Sequence, residues 1–119
     1  MGQYYLLVNH TKKEYVCPWC LGGVAKLKEW MSPQSYVLPY LLRKSTGEGG
    51  GDISPEGKEY LGRWAGDSIM FLGDYDKDFS FSNIQDEYKN ITIQLVKEMG
   101  RFAPYEDYGT CGSHSEESA

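Results

Sequence analysis

Towards the C-terminal end of the chain, Ile84, Tyr88, Ile91, Leu95, Met99 and Phe102 step by 4, 3, 4, 4 and 3 residues. That spacing lines one face of an α-helix. A helix of this length gains most of its stability from packing, so the face requires an apolar surface to cover. Ser82, with Gln85 three residues on, is a capping-box start, and Gly100 is placed to end the helix. The pattern predicts a helix near 83–100 lying over a small sheet.

The strands for that sheet are read from short apolar runs. Tyr4-Tyr5-Leu6-Leu7-Val8 is β-prone, Asn9-His10-Thr11-Lys12-Lys13 is turn-prone, and Glu14-Tyr15-Val16 gives a second strand. Together they predict an N-terminal hairpin, with Pro18 blocking further extension of its second strand. Ile69-Met70-Phe71-Leu72, flanked by Gly66 and Gly73, reads as a strand buried on both faces. Strands are therefore expected near 3–9, 14–17 and 68–74. Val24, Leu27 and Met31 fall on one face of a short helix near 24–31 that ends at Ser32-Pro33. Residues 35–43 are almost wholly apolar and read as a buried helix, in which Pro39 is tolerated close to the start. Ser54-Pro55-Glu56 could cap a helical turn reaching Leu61, and residues 45–52 read as a surface loop. The expected fold class is α+β: a small, mainly antiparallel sheet covered by the C-terminal amphipathic helix and one or two shorter helices. One domain is expected over 1–104, followed by a flexible, acidic, Gly/Ser-rich tail over 105–119.

Composition narrows the function classes. The chain has 119 residues, 40% of them hydrophobic and 14% aromatic, which is the make-up of one folded domain rather than a disordered segment. The longest apolar runs are about five residues, far short of the ~20 needed to cross a bilayer. Net charge is −5, unevenly spread: residues 1–44 hold six basic and two acidic groups, residues 45–119 six basic and fifteen acidic. A basic stripe for phosphate contacts is missing, so neither nucleic acid nor a membrane is an expected partner. The acidic half could meet a basic partner or mimic a nucleic acid, and a solvated surface accounts for it more simply. No secretory pattern opens the chain and the cysteines number three, so the protein reads as intracellular and cytoplasmic. On that reading the sequon Asn90-Ile91-Thr92 would not meet its transferase.

Several groups of residues could carry chemistry. Cys17-Pro18-Trp19-Cys20 and Cys111-Gly112-Ser113-His114 form C-x2-C and C-x2-H pairs. Cys17, Cys20, Cys111 and His114 would complete a tetrahedral structural zinc site, tying the tail to the hairpin. An incidental cysteine in the tail is the plainer alternative. The Cys-Pro-x-Cys tetrad also resembles the redox motif of glutaredoxin-like proteins, whose first thiol is activated at a helix N-terminus. The later proline expected of that fold is not matched, since Pro39 follows too soon. Asp74-Tyr75-Asp76-Lys77-Asp78 starts like a calcium loop, but Phe79 and Gln85 stand where glycine and glutamate are needed. In Gly62-Arg63-Trp64-Ala65-Gly66-Asp67, Arg63 and Asp67 could pair and Trp64 could anchor a partner. The plainer reading makes Trp64 a core aromatic and Asp67 a turn cap. His10 stands alone in the hairpin turn.

Tyr4-Tyr5-Leu6-Leu7-Val8-Asn9, Lys12-Lys13-Glu14-Tyr15, Gly50-Gly51-Asp52, Gly62-Arg63-Trp64-Ala65-Gly66-Asp67 and Gly73-Asp74-Tyr75-Asp76 together resemble a family of small uncharacterised proteins, mainly bacterial. The likeness covers residues 4–78 and implies a shared fold, with no activity attached. Cys-Pro-Trp-Cys is not part of it. The expected function is that of a small non-catalytic binding or accessory protein. It would meet an unknown protein partner through the surface near Arg63, Trp64, Asp67, Asp74 and Asp76, with no cofactor or with one structural zinc. The rival expectations are a zinc-stabilised domain and a thiol–disulfide oxidoreductase using Cys17 and Cys20.

Overall fold

Strand β1 (Tyr5–Asn9) is the centre of the molecule, because its neighbours on both sides supply apolar faces. Strand β2 (Glu14–Val16) folds back on it as the expected hairpin, with Leu7 opposite Val16 and Asn9 opposite Glu14. Lys13 takes the left-handed backbone conformation that closes the turn (φ 57°). Strand β3 (Ile69–Gly73) runs antiparallel along the other edge of β1, with Tyr5 opposite Gly73 and Asn9 opposite Ile69. A two-residue strand β4 (Lys89–Asn90) adds to β2 in parallel, giving the order β3-β1-β2-β4. The structure is a computed structural model that describes residues 3–21, 25–32, 34–45, 53 and 55–100. It bears out the α+β architecture with a mainly antiparallel sheet and a C-terminal helix.

The period-2 alternation of a strand divides the core in two. Leu7 and Val16 face a cluster that also holds Trp30, Val37, Leu41, Trp64, Ile91, Leu95 and Met99. Leu6, Val8, Tyr15 and Leu72 face a second cluster with Cys17, Cys20 and Ile84. Burying both faces explains why β1 reads as a continuous apolar run. The edge strand β3 is less covered than its sequence suggests, since Met70 remains 36% exposed.

The helices depart from expectation in instructive ways. The apolar face from Ile84 to Met99 is split between two helices, α3 (Phe81–Glu87) and α4 (Thr92–Met99). Between them the backbone joins the sheet: Lys89 N–H donates to the Lys13 carbonyl (2.9 Å) and Ile91 N–H to the Tyr15 carbonyl (3.1 Å). Ile84 therefore packs on one face of the sheet, while Ile91, Leu95 and Met99 pack on the other. Each fully buried side chain of that kind contributes about 1.5–3 kcal/mol. Such packing explains how an eight-residue helix holds its place. Helix α3 is capped by Ser80, whose hydroxyl accepts the Asn83 N–H, rather than by Ser82.

Helix α1 (Leu27–Met31) is shorter than expected and turned. Leu27 and Met31 face solvent while Trp30 is buried against Phe71 and donates Nε1–H to the Tyr5 carbonyl (3.1 Å). Val24 lies outside the described residues. Residues 35–43 are helical as expected: a 3-10 turn (Gln34–Tyr36) leads into α2 (Val37–Leu42), with Pro39 in the first turn, where its missing N–H has no intrahelical acceptor. From Pro55 to Leu61 the described chain forms turns and no helix. Cys111, His114 and the expected tail lie outside the described residues. No helix among the described residues is long and apolar enough to cross a membrane.

Candidate functional site

The five residues expected on one surface fall into two groups. Trp64 is fully buried, so it is a core aromatic and not an exposed anchor. Its Nε1–H donates to Glu14 Oε1 (2.7 Å). Arg63 pairs with Glu14 rather than Asp67: its Nε and Nη2 grip the carboxylate at 3.0 and 2.6 Å in a fork. Glu14 is only 4% exposed, and burial pushes its carboxyl pKa up. The hydrogen bonds from Arg63 and Trp64 outweigh burial and hold it below its ordinary value. The same bond raises Arg63 further above its ordinary range. Asp67 accepts from Lys12 Nζ (2.6 Å) and Asn9 Nδ2 (2.9 Å), and Lys12, first, then Asn9 lower its pKa.

Asp74 and Asp76 sit beyond the far end of β3, roughly 17 Å of strand away from Asp67. There Asp74 accepts the Tyr4 N–H (3.1 Å), and Asp76 accepts the N–H groups of Asp78 and Phe79 (2.9 and 2.8 Å). These carboxylates fasten loop ends. His10 is no longer alone: its Nδ1 lies 3.0 Å from the Tyr88 hydroxyl, and its ring lies 4.6 Å from that of Phe79.

Cys17 and Cys20 are both fully buried, in a turn closed by the Leu21 N–H on the Cys17 and Pro18 carbonyls (3.3 and 3.2 Å). Among the described residues no helix starts at this turn and α1 begins at Leu27, so Cys17 does not sit at the N-terminus of a described helix. No cluster of three or more metal-ligating side chains occurs among the described residues. The turn is instead tied to the sequon. Cys17 N–H donates to Thr92 Oγ1 (2.7 Å), and Thr92 donates both its hydroxyl and its N–H to Asn90 Oδ1 (2.6 and 3.0 Å). With its oxygen so occupied, Asn90 turns its Nδ2–H to Cys20 Sγ (3.6 Å). Asn90 and Thr92 are buried in this network, so the sequon serves the fold. Thr92→Val should cost about 2 kcal/mol in urea unfolding, because it strands the Cys17 N–H and half-empties Asn90 Oδ1.

A third feature had no signal in the sequence. An open apolar groove of about 410 Å³ lies between α2, residues 53 and 61, and the end of α4. It is lined by Tyr36, Pro39, Tyr40 and Arg43 from α2 and its flanks, and by Ile53, Leu61 and Met99. Its walls are fixed by long-range hydrogen bonds. Arg43 Nη1 donates to the Ile53 carbonyl (2.6 Å). Glu98 of α4 accepts the N–H groups of Glu59, Tyr60 and Leu61 (2.6, 2.8 and 3.2 Å) and the Tyr40 hydroxyl (2.9 Å). Burial, then the Glu98 carboxylate, push the Tyr40 phenol well above its ordinary pKa, so it stays a neutral donor. The arrangement offers an apolar concavity of ligand-pocket size. Compared with known proteins, the chain matches no family model, no curated protein and no solved structure.

Proposed function

We propose that this chain is a small intracellular, non-catalytic binding protein whose partner is another protein, and that the partner seats an apolar side chain in the groove beside α2. The observation that carries this reading is the groove itself: apolar, about 410 Å³, open among the described residues, with Glu98 tying residues 59–61 and Tyr40 to α4. An open concavity suits an anchor residue whose backbone stays outside, which is how most binding energy concentrates at protein interfaces. Asp67, Asp74 and Asp76, expected on the interaction surface, are engaged in fastening loops, so the reading rests on the groove and not on them.

The test is selection from a displayed random-peptide library against the immobilised chain. Enriched peptides should share an apolar anchor. Leu61→Lys, at a half-buried wall position, should weaken them at least tenfold with little change in melting temperature. No enrichment, or peptides that bind Leu61→Lys equally well, would remove the groove from consideration.

A further inference from the structure

The buried turn at Cys17 and Cys20 is joined to the start of α4 by an unbroken circuit of hydrogen bonds. It runs from Cys17 N–H to Thr92 Oγ1, from Thr92 to Asn90 Oδ1, and from Asn90 Nδ2 to Cys20 Sγ. Every member is at least nine-tenths buried. Asn90 also serves the helix, because its Oδ1 accepts the Thr92 N–H, one of the N–H groups that the first turn of α4 leaves without an intrahelical partner. The N-cap residue of α4, Ile91, offers no side-chain cap of its own. Whatever moves the sulfur of Cys20 therefore acts on a side chain that caps α4.

We propose that Cys17 and Cys20 are a redox modification site: they form a reversible intramolecular disulfide, and that bond unlatches the start of α4. The two cysteines stand three residues apart in one turn, closed by the Leu21 N–H on Cys17 O and Pro18 O. In such a helical-type turn, Cα atoms three residues apart lie roughly 5 Å from one another, inside the range a disulfide spans. No disulfide joins them in this structure.

The oxidant is a low-molecular-weight disulfide. The Cys20 thiolate, formed when the turn opens to solvent, attacks one sulfur of the external disulfide and expels the other as a thiolate. The Cys17 thiolate then attacks Cys20 Sγ in the mixed disulfide and expels the second external thiolate. Two protein thiols become one S–S bond, and the external disulfide leaves as two thiols that take up the two protons. Both sulfurs are fully buried, so the reaction waits on local opening of the 17–21 turn and is slow. Once bridged, Cys20 Sγ is drawn toward Cys17 and is a poorer acceptor, so Asn90 Nδ2 loses its partner. Asn90 then reorients, and the Thr92 N–H loses its cap.

The experiment uses the full chain incubated with oxidised glutathione, followed by alkylation, tryptic digestion and amide hydrogen exchange. The expected product is the peptide spanning 14–26 lighter by two hydrogens and closed to alkylation. Exchange through residues 92–96 should rise at least tenfold, exchange in β1 should stay unchanged, and dithiothreitol should reverse both. Asn90→Ala should give the fast-exchange state without oxidant. A stable glutathione adduct without closure, a bridge to Cys111, or a Cys17–Cys20 bridge that leaves exchange at 92–96 unchanged would each overturn the proposal. So would closure seen only in urea.

Discussion

Replacing Glu14 with alanine should lower stability by about 3 kcal/mol and the melting temperature by roughly 10 °C, a large effect for one side chain on a β-hairpin. Glu14 is where two distant stretches of chain are joined. Its carboxylate accepts three hydrogen bonds from Arg63 and one from the indole N–H of Trp64. Alanine leaves that indole N–H buried without an acceptor and the guanidinium without its counter-charge. Arg63 keeps 30% of its side-chain surface exposed, so water recovers part of the loss and the cost stays at the low end for a broken pair. Glu14→Gln keeps one acceptor oxygen for Trp64 but removes the charge and one of the two oxygens that Arg63 grips, so it should fall about halfway. Equal losses for the two variants would mean that the charge alone matters and the Trp64 bond does not.

The same site sets an acid response. The folded chain holds Glu14 below its ordinary value of 4.5, so its contribution is complete above that pH. The contribution is lost as pH falls through the lower folded value, because the unfolded chain takes up the proton first. Asp67 adds to the same trend from its ordinary value of 3.8, weakly, since its ion pair with Lys12 lies at the surface. Melting temperature measured from pH 6 downward should therefore drop more steeply in the wild type than in Glu14→Gln, with the two curves converging in acid.

Much of the sheet could be read from residue patterns because its determinants are local. The β-prone apolar runs in Tyr5–Asn9 and Glu14–Val16, the turn residues between them and the glycine-bounded run at 69–72 are local signals that need no reference to the rest. The helical face from Ile84 to Phe102 misled because periodicity records which side chains are buried and not against what. Its steps continue smoothly across Tyr88–Ile91, where the backbone leaves the helix to pair with Lys13 and Tyr15. A buried Glu14 inside a strand, matched by Arg63 and Trp64, is a pairing over about fifty residues that no local rule reaches. The hairpin and the glycine-flanked segment meet here: Asn9, Lys12 and Glu14 hold Asp67, Arg63 and Trp64. Their residue types are those a structural clamp requires. The groove is least legible of all, since its lining comes from positions 36, 39, 40, 43, 53, 61 and 99 and consists of ordinary apolar and aromatic residues and one arginine.

Gly62→Ala should be at least as damaging as the loss of Glu14, and it isolates close approach from backbone strain. Gly62 and Gly66 share a left-handed conformation (φ 75° and 82°) in the same segment, so alanine at either position carries a strain of about 1–2 kcal/mol. Around Gly66 an added Cβ meets nothing within 4 Å, and strain is its whole cost. At Gly62 that Cβ would lie 2.6 Å from the Arg43 carbonyl oxygen, a backbone atom that cannot swing aside. The approach is that close because Gly62 N–H donates to the Tyr40 carbonyl (2.7 Å) and Trp64 N–H to the Leu41 carbonyl (2.8 Å), satisfying the last turn of α2. Relieving the clash stretches both bonds, each contributing about 1 kcal/mol, and pulls Leu61 away from α2, opening the groove. The expected losses in urea unfolding are about 3–4 kcal/mol for Gly62→Ala and about 1 kcal/mol for Gly66→Ala. Peptides selected against the groove should lose affinity for the first variant and keep it for the second. Losses within about 0.5 kcal/mol of each other would show that the 60–64 segment does not rest on the end of α2, and the groove would lose the wall on which its shape depends.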